Sequence, residues 1–544
     1  MKKLISIIYI LTLTLYSQAQ NWQWAKNIHG PNSEFALIAC VDNQGNSYVI
    51  GAFDTNPCIF DTDTLNGGGY STHYLAKYSP SGNIIWAKKT GNSFSLNCYS
   101  GIFKLVFDST SNSLLFAGAV GSYFQLNSTT VTSSPGDMEA IFGKANLNGD
   151  ILWYHTITGN GSQSGNTIDF DGAGNVYAIG TSNMAFNVGN DSLQAGVFFI
   201  KYDSNGNQQL IKTITNSPAF QWIDLHISNT NFYLSGSGGN TMDIDTIHLV
   251  NTNMHGYLIA KFNLNGDVLW AKLTGSINIG TLCLSSAIDL NENFYTITTI
   301  VDSAVFGGST IYTTGARDIA IVKYDSSGNF VWVRQADYSI SNSTIYGAYA
   351  ITSDKLGDIY ITGEFGGTAH FGTNTITATT PRAMFIAKYT PNGDCVGVDY
   401  FGDAEGLAVA VDNTNNPIVS GTFINTVNIG TTSFTCNNTY DAFVAKHDAI
   451  TGINNQQKMA SNNQLLIYAN PNSGKCNITV PTDLLHQNNL VLSIYNSQGK
   501  IIQQQTVTTS QQKIKINIES EASGIYNAVL SNGNKSYSGK IVFE

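Results

Sequence analysis

Charge is scarce in this chain. Only 12% of its 544 residues are Asp, Glu, Lys or Arg, against about 25% in ordinary globular chains. The net charge is −11 and no basic stripe is visible, which speaks against nucleic acid, because a phosphate backbone demands clustered Lys and Arg. Past the first few residues, no stretch is long and apolar enough to span a bilayer as a helix. The seven cysteines (Cys40, Cys58, Cys98, Cys283, Cys395, Cys436, Cys476) contain no C-x-x-C and follow no regular spacing. They read as scattered small apolar residues with at most an incidental bridge, not a disulfide framework or a zinc site.

Export is expected from the first segment. Lys2 and Lys3 precede a short apolar run at residues 4–15, and Ser17-Gln18-Ala19 is a small-x-small cleavage signal. Residues 1–19 are read as a signal peptide cut between Ala19 and Gln20.

What the chain has instead is glycine (52 residues), Tyr and Phe (27 each) and a recurring phrase. It runs AKYSPSGNIIW at 76–86, GKANLNGDILW at 143–153, AKFNLNGDVLW at 260–270 and VKYDSSGNFVW at 322–332. Versions without the tryptophan start at Ile200 and Ala387, and AKHDAITG starts at Ala445. The equivalent lysines are Lys77, Lys144, Lys201, Lys261, Lys323, Lys388 and Lys446, about 61 residues apart, a period that marks an array of supersecondary units. Each unit holds four strand-like pieces. A middle turn led by aspartate (Asp42, Asp108, Asp171, Asp289, Asp354, Asp412) is expected to be held by the aspartate's own side chain. The copy near Ser228 lacks that residue.

Four antiparallel strands per unit describe a propeller blade. The ends favour a closed ring over a solenoid. Trp22 to Lys26 reads as an outer strand without its partner, and Ala442 to His447 as the missing partner. Joining them hides two sheet edges. The expectation is an all-β chain: a seven-bladed β-propeller over 20–450, a polar linker over 451–463, and a small C-terminal β-sandwich over 464–544. The blade phrases resemble the bacterial seven-bladed propeller repeat family, with its D-x-x-G-N-x-Y-x-x-G and G-N-x-x-W elements.

The tail carries Tyr468-Ala469-Asn470-Pro471, then Gly474, the turn ending Gly499-Lys500, Gly524-Ile525-Tyr526, and Lys540 in a final strand. In this order the motifs resemble the type A C-terminal sorting domain of the type IX secretion system, found in Bacteroidetes. Ala469 stands where the family has proline, and Asn496 where it has aspartate. The resemblance implies that Tyr468, Asn470, Pro471, Gly474, Gly499, Lys500, Gly524, Tyr526 and Lys540 present the tail to the type IX machinery, with a secreted or outer-membrane-surface destination.

No catalytic constellation emerges. G-x-S-x-G, H-E-x-x-H and a phosphate-binding glycine loop are all missing. Histidines such as His29 and His73 are scattered singly. Asp61-Thr62-Asp63 and Asp243-Ile244-Asp245 come nearest to a calcium loop but lack its D-x-D-x-D-G spacing. Arg317, Arg334 and Arg382 do not form the trio a sialidase requires. No cofactor or metal is expected. The tryptophans are read as packing between blades, and the seven lysines as a solvated strand face. The functional expectation is a non-enzymatic binding protein for an unknown extracellular ligand, glycan or protein. Recognition would fall on variable segments such as 61–70 and 245–255. The alternative is a secreted polysaccharide hydrolase or lyase acting at the propeller channel.

Overall fold

The computed structural model describes residues 22–450, except 55–56, 69–70, 94–99, 122, 134–137, 217–220, 239–240, 251–255, 277–282, 316, 339–346 and 437–438. It also describes 465–544, except 466, 482–483, 485–489, 497–499, 508–511 and 533–535. The expected cleavage site, Ala19 and Gln20, and the linker over 451–463 lie outside the described residues. The chain divides into two compact units, one ending at Asn454 and one starting at Asn455.

Regular structure in the first unit is all β among the described residues. The first blade is typical: an inner strand Glu34–Val41, a second strand Ser47–Phe53, a third Ser71–Tyr78 and an outer one Ile84–Ser93, antiparallel throughout. Six more sets of four antiparallel strands repeat that order among the described residues, two of them, like the first, within six-stranded sheets. Their inner strands are Gly101–Asp108, Gln163–Phe170, Gln221–Ile227, Cys283–Ile288, Gly347–Ser353 and Ala404–Val411. Each inner strand touches the next, and the last touches the first. The unit is a β-propeller.

Packing explains why the repeat must be whole. A blade is apolar on both faces, so second and third strands such as Ile359–Phe365 and Ala383–Tyr389 are buried at every position. The apolar cores lie between sheets, each drawing on two successive blades. One joins Tyr48, Ile50 and Leu75 to Leu105, Leu114 and Phe116. Another joins Ile418, Ala442 and Val444 of the seventh blade to Ala36, Val49 and Phe53 of the first. An unclosed array would leave two such faces wet.

The N-terminal strand Trp22–Ile28 closes the ring as the outer strand of the seventh blade. It runs antiparallel to Asp441–His447, with Trp24 opposite Lys446 and Lys26 opposite Val444.

One feature exceeds the four-strand expectation. Between second and third strands every blade carries a short hairpin, for example Cys58–Phe60 with Asp63–Leu65 and Ser303–Phe306 with Ser309–Tyr312. Three of these hairpins extend the outer strand of the preceding blade, as where Ser303–Phe306 pairs with Val268–Ser276. The expected variable loops thus contain recurrent, paired strands that cover exposed edges.

The second unit forms two small antiparallel sheets, ordered Ile467–Tyr468, Lys475–Thr479, Lys513–Asn517 and Ile501–Thr506, Val491–Tyr495, Gly524–Ser531, Ser536–Phe543. Between them lies one core that includes Ile478, Leu492, Ile494, Ile516, Ala528, Leu530 and Ile541.

Candidate functional site

The seven lysines do not form a solvated face. Lys77, Lys144, Lys261, Lys323, Lys388 and Lys446 are buried, and only Lys201 is half-buried. The reason is a cassette built on the aspartate turn. Asp42 accepts the amides of Gln44 and Asn46 at 2.9 Å and the Tyr48 hydroxyl at 3.1 Å. Lys77 faces Tyr48 in register with Nζ 5.1 Å from the ring centre, and sits 3.9 Å from Asp42. Its ammonium also donates to the Leu147 carbonyl of the second blade at 3.3 Å. Lys323 likewise reaches the Pro391 carbonyl at 2.9 Å and lies over Tyr295. Desolvation of an ammonium is tolerable when a carboxylate, a ring face and a carbonyl replace water. These lysines clasp neighbouring blades.

Tryptophan forms the other half of the clasp. Trp24 donates from Nε1 to the Pro80 carbonyl at 2.9 Å, and Trp332 does the same to Pro391 at 3.2 Å. Trp24 also packs against the turn at Gly82, whose φ is +82° and where a Cβ would fall 2.5 Å from the indole. A second basic position, two residues after the tryptophan, was not singled out from the sequence. Lys88, His155, Lys272 and Arg334 each reach a turn carbonyl of the next blade, His155 at 2.7 Å from Gly206 and Arg334 at 2.9 Å from Gly393. The signal was visible in the repeated Trp-Ala-Lys at 24–26, 86–88 and 270–272.

A different polar cluster lies on the inner strands, around the ring axis. Lys104 of the second blade spans to Asp224 of the fourth at 2.8 Å. Asp224 also accepts the Ser286 amide of the fifth blade at 3.1 Å and lies 3.6 Å from His226, which bonds the Ser286 hydroxyl at 3.0 Å. Asp169 of the third blade accepts the amides of Phe170 and Ile227, both at 2.9 Å. The two carboxyls titrate apart. Burial pushes Asp169 up to about 6, against the opposing pull of His226 and the two amides. Burial also opposes ionisation of Asp224, but Lys104 and then His226 outweigh it and hold that carboxyl well below the usual range. Four blades are tied together here. Each of the seven inner strands carries a local register shift, as between Ile102 and Lys104 and between Gln221 and Asp224, so the bulge belongs to the repeat and not to this cluster.

At the opposite end of the strands from the aspartate turns, Arg382 contacts Glu364 at 3.1 Å and also Glu405, and the Tyr349 hydroxyl donates to Glu364 at 2.6 Å. Burial pushes Glu364 up to about 7. Glu34 is fully buried beside Asp441, and burial, then the charge of Asp441, raises it to about 8. Of the calcium candidates, Asp61 holds Lys26 at 2.8 Å and Asp243 takes His248 at 2.5 Å. Cys58, Cys436 and Cys476 sit in apolar cores, as small apolar residues would.

In the tail, Asn470 bonds the last strand twice, through Nδ2 to the Lys540 carbonyl and through Oδ1 from the Val542 amide, both at 2.6 Å. Tyr468 ends the first strand, and Lys513 lies 5.4 Å from its ring centre. Pro471 follows Asn470 directly, and Gly474 has φ +92° where a Cβ would meet Glu519. Asn496 closes its own turn: its Oδ1 accepts the Lys500 amide at 3.0 Å. Gly499 lies outside the described residues. Gly524 faces Phe543 in register, the Tyr526 hydroxyl donates to the Ala522 carbonyl, and Lys540 is exposed opposite Asn527.

Residues 466–544 match the family described as the secretion system C-terminal sorting domain. The tail carries a type IX sorting domain. It marks the chain for export to the cell surface or beyond, and among the described residues no helix is long and apolar enough to cross a membrane. Over 512 residues the chain is 25% identical to an uncharacterized WD repeat-containing protein of Acanthamoeba polyphaga mimivirus, covering 81% of this chain and 34% of that one. The chain thus spans about a third of the length of the curated relative it matches. Among solved structures, Drosophila Semaphorin 2a aligns over 97% of this chain and 98% of its own at 8% identity and a TM-score of 0.41. A puromycin hydrolase aligns over 84% of this chain and 61% of its own at 9% identity and a TM-score of 0.40.

Proposed function

We propose that the sorting domain delivers a non-enzymatic binding scaffold, whose propeller presents its hairpins and blade edges to an extracellular glycan or protein. The observation that carries this reading is how the repeated charges are used. Aspartate, lysine and the basic residue after tryptophan are committed to turns and to neighbouring blades, so the repeat supplies a frame and leaves recognition to the parts that vary. In the tail, Asn470, Asn496 and Gly474 shape the backbone, whereas Lys500 and Lys540 stand exposed as the groups the export machinery would read.

The axial cluster favours a second reading, polysaccharide cleavage, because Asp169 and Asp224 titrate far apart as an acid and a base must. Against it, both oxygens of each carboxyl are already engaged, those of Asp224 by Lys104 and Ser286 of other blades and those of Asp169 by the amides of Phe170 and Ile227. The deciding experiment incubates the exported chain with soluble polysaccharides and oligosaccharides and measures retention and products together. Saturable binding with no product supports the scaffold; reducing ends that disappear with Asp224→Asn would replace it with the hydrolase.

A further inference from the structure

The third blade breaks the clasp in one place. Its outer strand, Gln208–Thr215, has Leu210 opposite Lys201 where other blades set tryptophan opposite lysine. The sixth blade also lacks the indole, with Gly397 opposite Lys388. There, however, the neighbouring seventh blade has no turn joining its third and outer strands, since those strands come from the two ends of the unit. Only between the third and fourth blades does an intact turn, Asn263 to Asp267, face a missing indole.

A cleft of about 700 Å³ opens at that position, within the roughly 300–1,000 Å³ of small-ligand sites. Its walls include Lys201, Lys212, Asp203, Asp267, Gln209 and Asn265. Lys201 is the one half-exposed member of the lysine ring, and its bond to the Leu264 carbonyl is long at 3.4 Å. No carboxylate pairs with it among the described residues. Lys212 has lost the ring that Lys88 lies on at 4.6 Å, and turns to Asp267 at 3.2 Å. The two ammonium groups face two carboxylates on the walls and a third, Asp245, 4.0 Å from Lys212, so an anionic ligand meets no net opposite charge. Carboxylates accept, ammoniums donate and amides do both. That mixture suits hydroxyl groups, which also do both.

We propose that this cleft binds a neutral saccharide of one or two hexose units, with Lys201 donating to its hydroxyls and Leu210 beneath an apolar ring face. The proposal rests on the binding reading above and gives it a place. The test titrates the full exported chain with maltotriose, cellotriose, tri-N-acetylchitotriose and, as the charged control, trigalacturonate, following each by saturation-transfer NMR and calorimetry. At least one neutral trisaccharide should bind. Leu210→Trp, which refills the gap with the residue the other blades use, should weaken that binding at least tenfold without lowering Tm, and Lys201→Gln should weaken it several-fold. Failure of every neutral trisaccharide, unchanged binding in both variants, or tighter binding of trigalacturonate overturns the cleft. Cleavage of a bound trisaccharide would leave the cleft standing and remove the non-enzymatic reading instead.

Discussion

Glu292 reaches back from the turn of the fifth blade and supplies the carboxylate that Ser228 withholds from the fourth. Its Oε2 lies 2.9 Å from Lys261 Nζ and 2.8 Å from the Tyr233 hydroxyl, the two groups an aspartate serves elsewhere. Glu292 occupies, at φ +58°, the turn position that glycine takes in the first, third and sixth blades and Asn415 in the seventh. That strain persists because the carboxylate is needed across the interface. Burial resists its ionisation, but the bonds from Lys261 and Tyr233 hold it down to about 2.

Replacing Glu292 by Gly should therefore do two opposing things. It relieves the left-handed backbone, worth roughly 1 kcal/mol, and strips the ammonium of its partner, a loss of about 2–4 kcal/mol at this partial burial. Net destabilisation is expected in urea melts. Adding Ser228→Asp should recover most of it, because the carboxylate then arrives from the position the other blades use. A double variant no more stable than Glu292→Gly alone would refute the exchange.

Much of this frame was legible in the sequence, and the reasons are physical. The Asp42, Gly45 and Tyr48 turn and the Gly82 to Trp86 phrase are local motifs whose bonds close within a few residues, so their spacing survives in one dimension. Ring closure was readable because Trp24-Ala25-Lys26 repeats Trp86-Ala87-Lys88. The burial of Lys77 was not, because its Leu147 partner lies a full blade away and strand patterning alone suggests an exposed ammonium. The axial cluster was hidden for the same reason: Lys104, Asp169 and Asp224 share no motif and meet only when blades two to five converge. The cleft had a sequence signal in the lost tryptophan at Leu210, but its meaning needed the intact neighbouring turn.

A glycine-to-alanine change at Gly82 should test the interlock at the ring's closing seam. A Cβ there meets the Trp24 indole at 2.5 Å, and alanine resists φ +82°. The combined penalty is about 2–4 kcal/mol. Because Trp24 lies on the strand whose pairing with Asp441–His447 closes the ring without continuous chain, the variant should also become sensitive to proteolysis near that N-terminal strand before global unfolding. Limited trypsin digestion read by mass spectrometry checks this, and an unchanged cleavage pattern with wild-type Tm would contradict it.

Stability should fall as pH rises from about 5 to about 8. Glu34 and Glu364 have folded-state values near 8 and 7, above their ordinary 4.5. The folded protein therefore holds protons that the unfolded chain releases, and stability present at low pH is lost as pH climbs through that window. Each group contributes at most about 1.4 kcal/mol per pH unit. Glu34→Gln keeps the neutral form at every pH, so its Tm should decline less steeply than wild type between pH 5 and 8. Parallel curves would mean that Glu34 is ionised throughout.

The axial cluster yields the sharpest separation between frame and catalyst. Asp224→Asn removes the charge that faces Lys104 and leaves the ammonium crossing the axis without its counterion. Breaking such a pair costs about 2–4 kcal/mol at partial exposure, whereas removing both charges costs far less. If the cluster is a brace, Asp224→Leu and Lys104→Met should each lower Tm as Asp224→Asn does, and the double Lys104→Met, Asp224→Leu variant should restore much of it, the cycle giving a coupling energy near the size of a single loss. Oligosaccharide retention would survive in the double variant, since the cleft lies at an outer blade edge and shares no residue with the axis. A catalytic pair behaves in the opposite way: the double change would abolish any turnover while Tm stays flat. Measuring Tm, retention and products on the wild type, the two single variants and the double variant decides which of the two the ring axis holds.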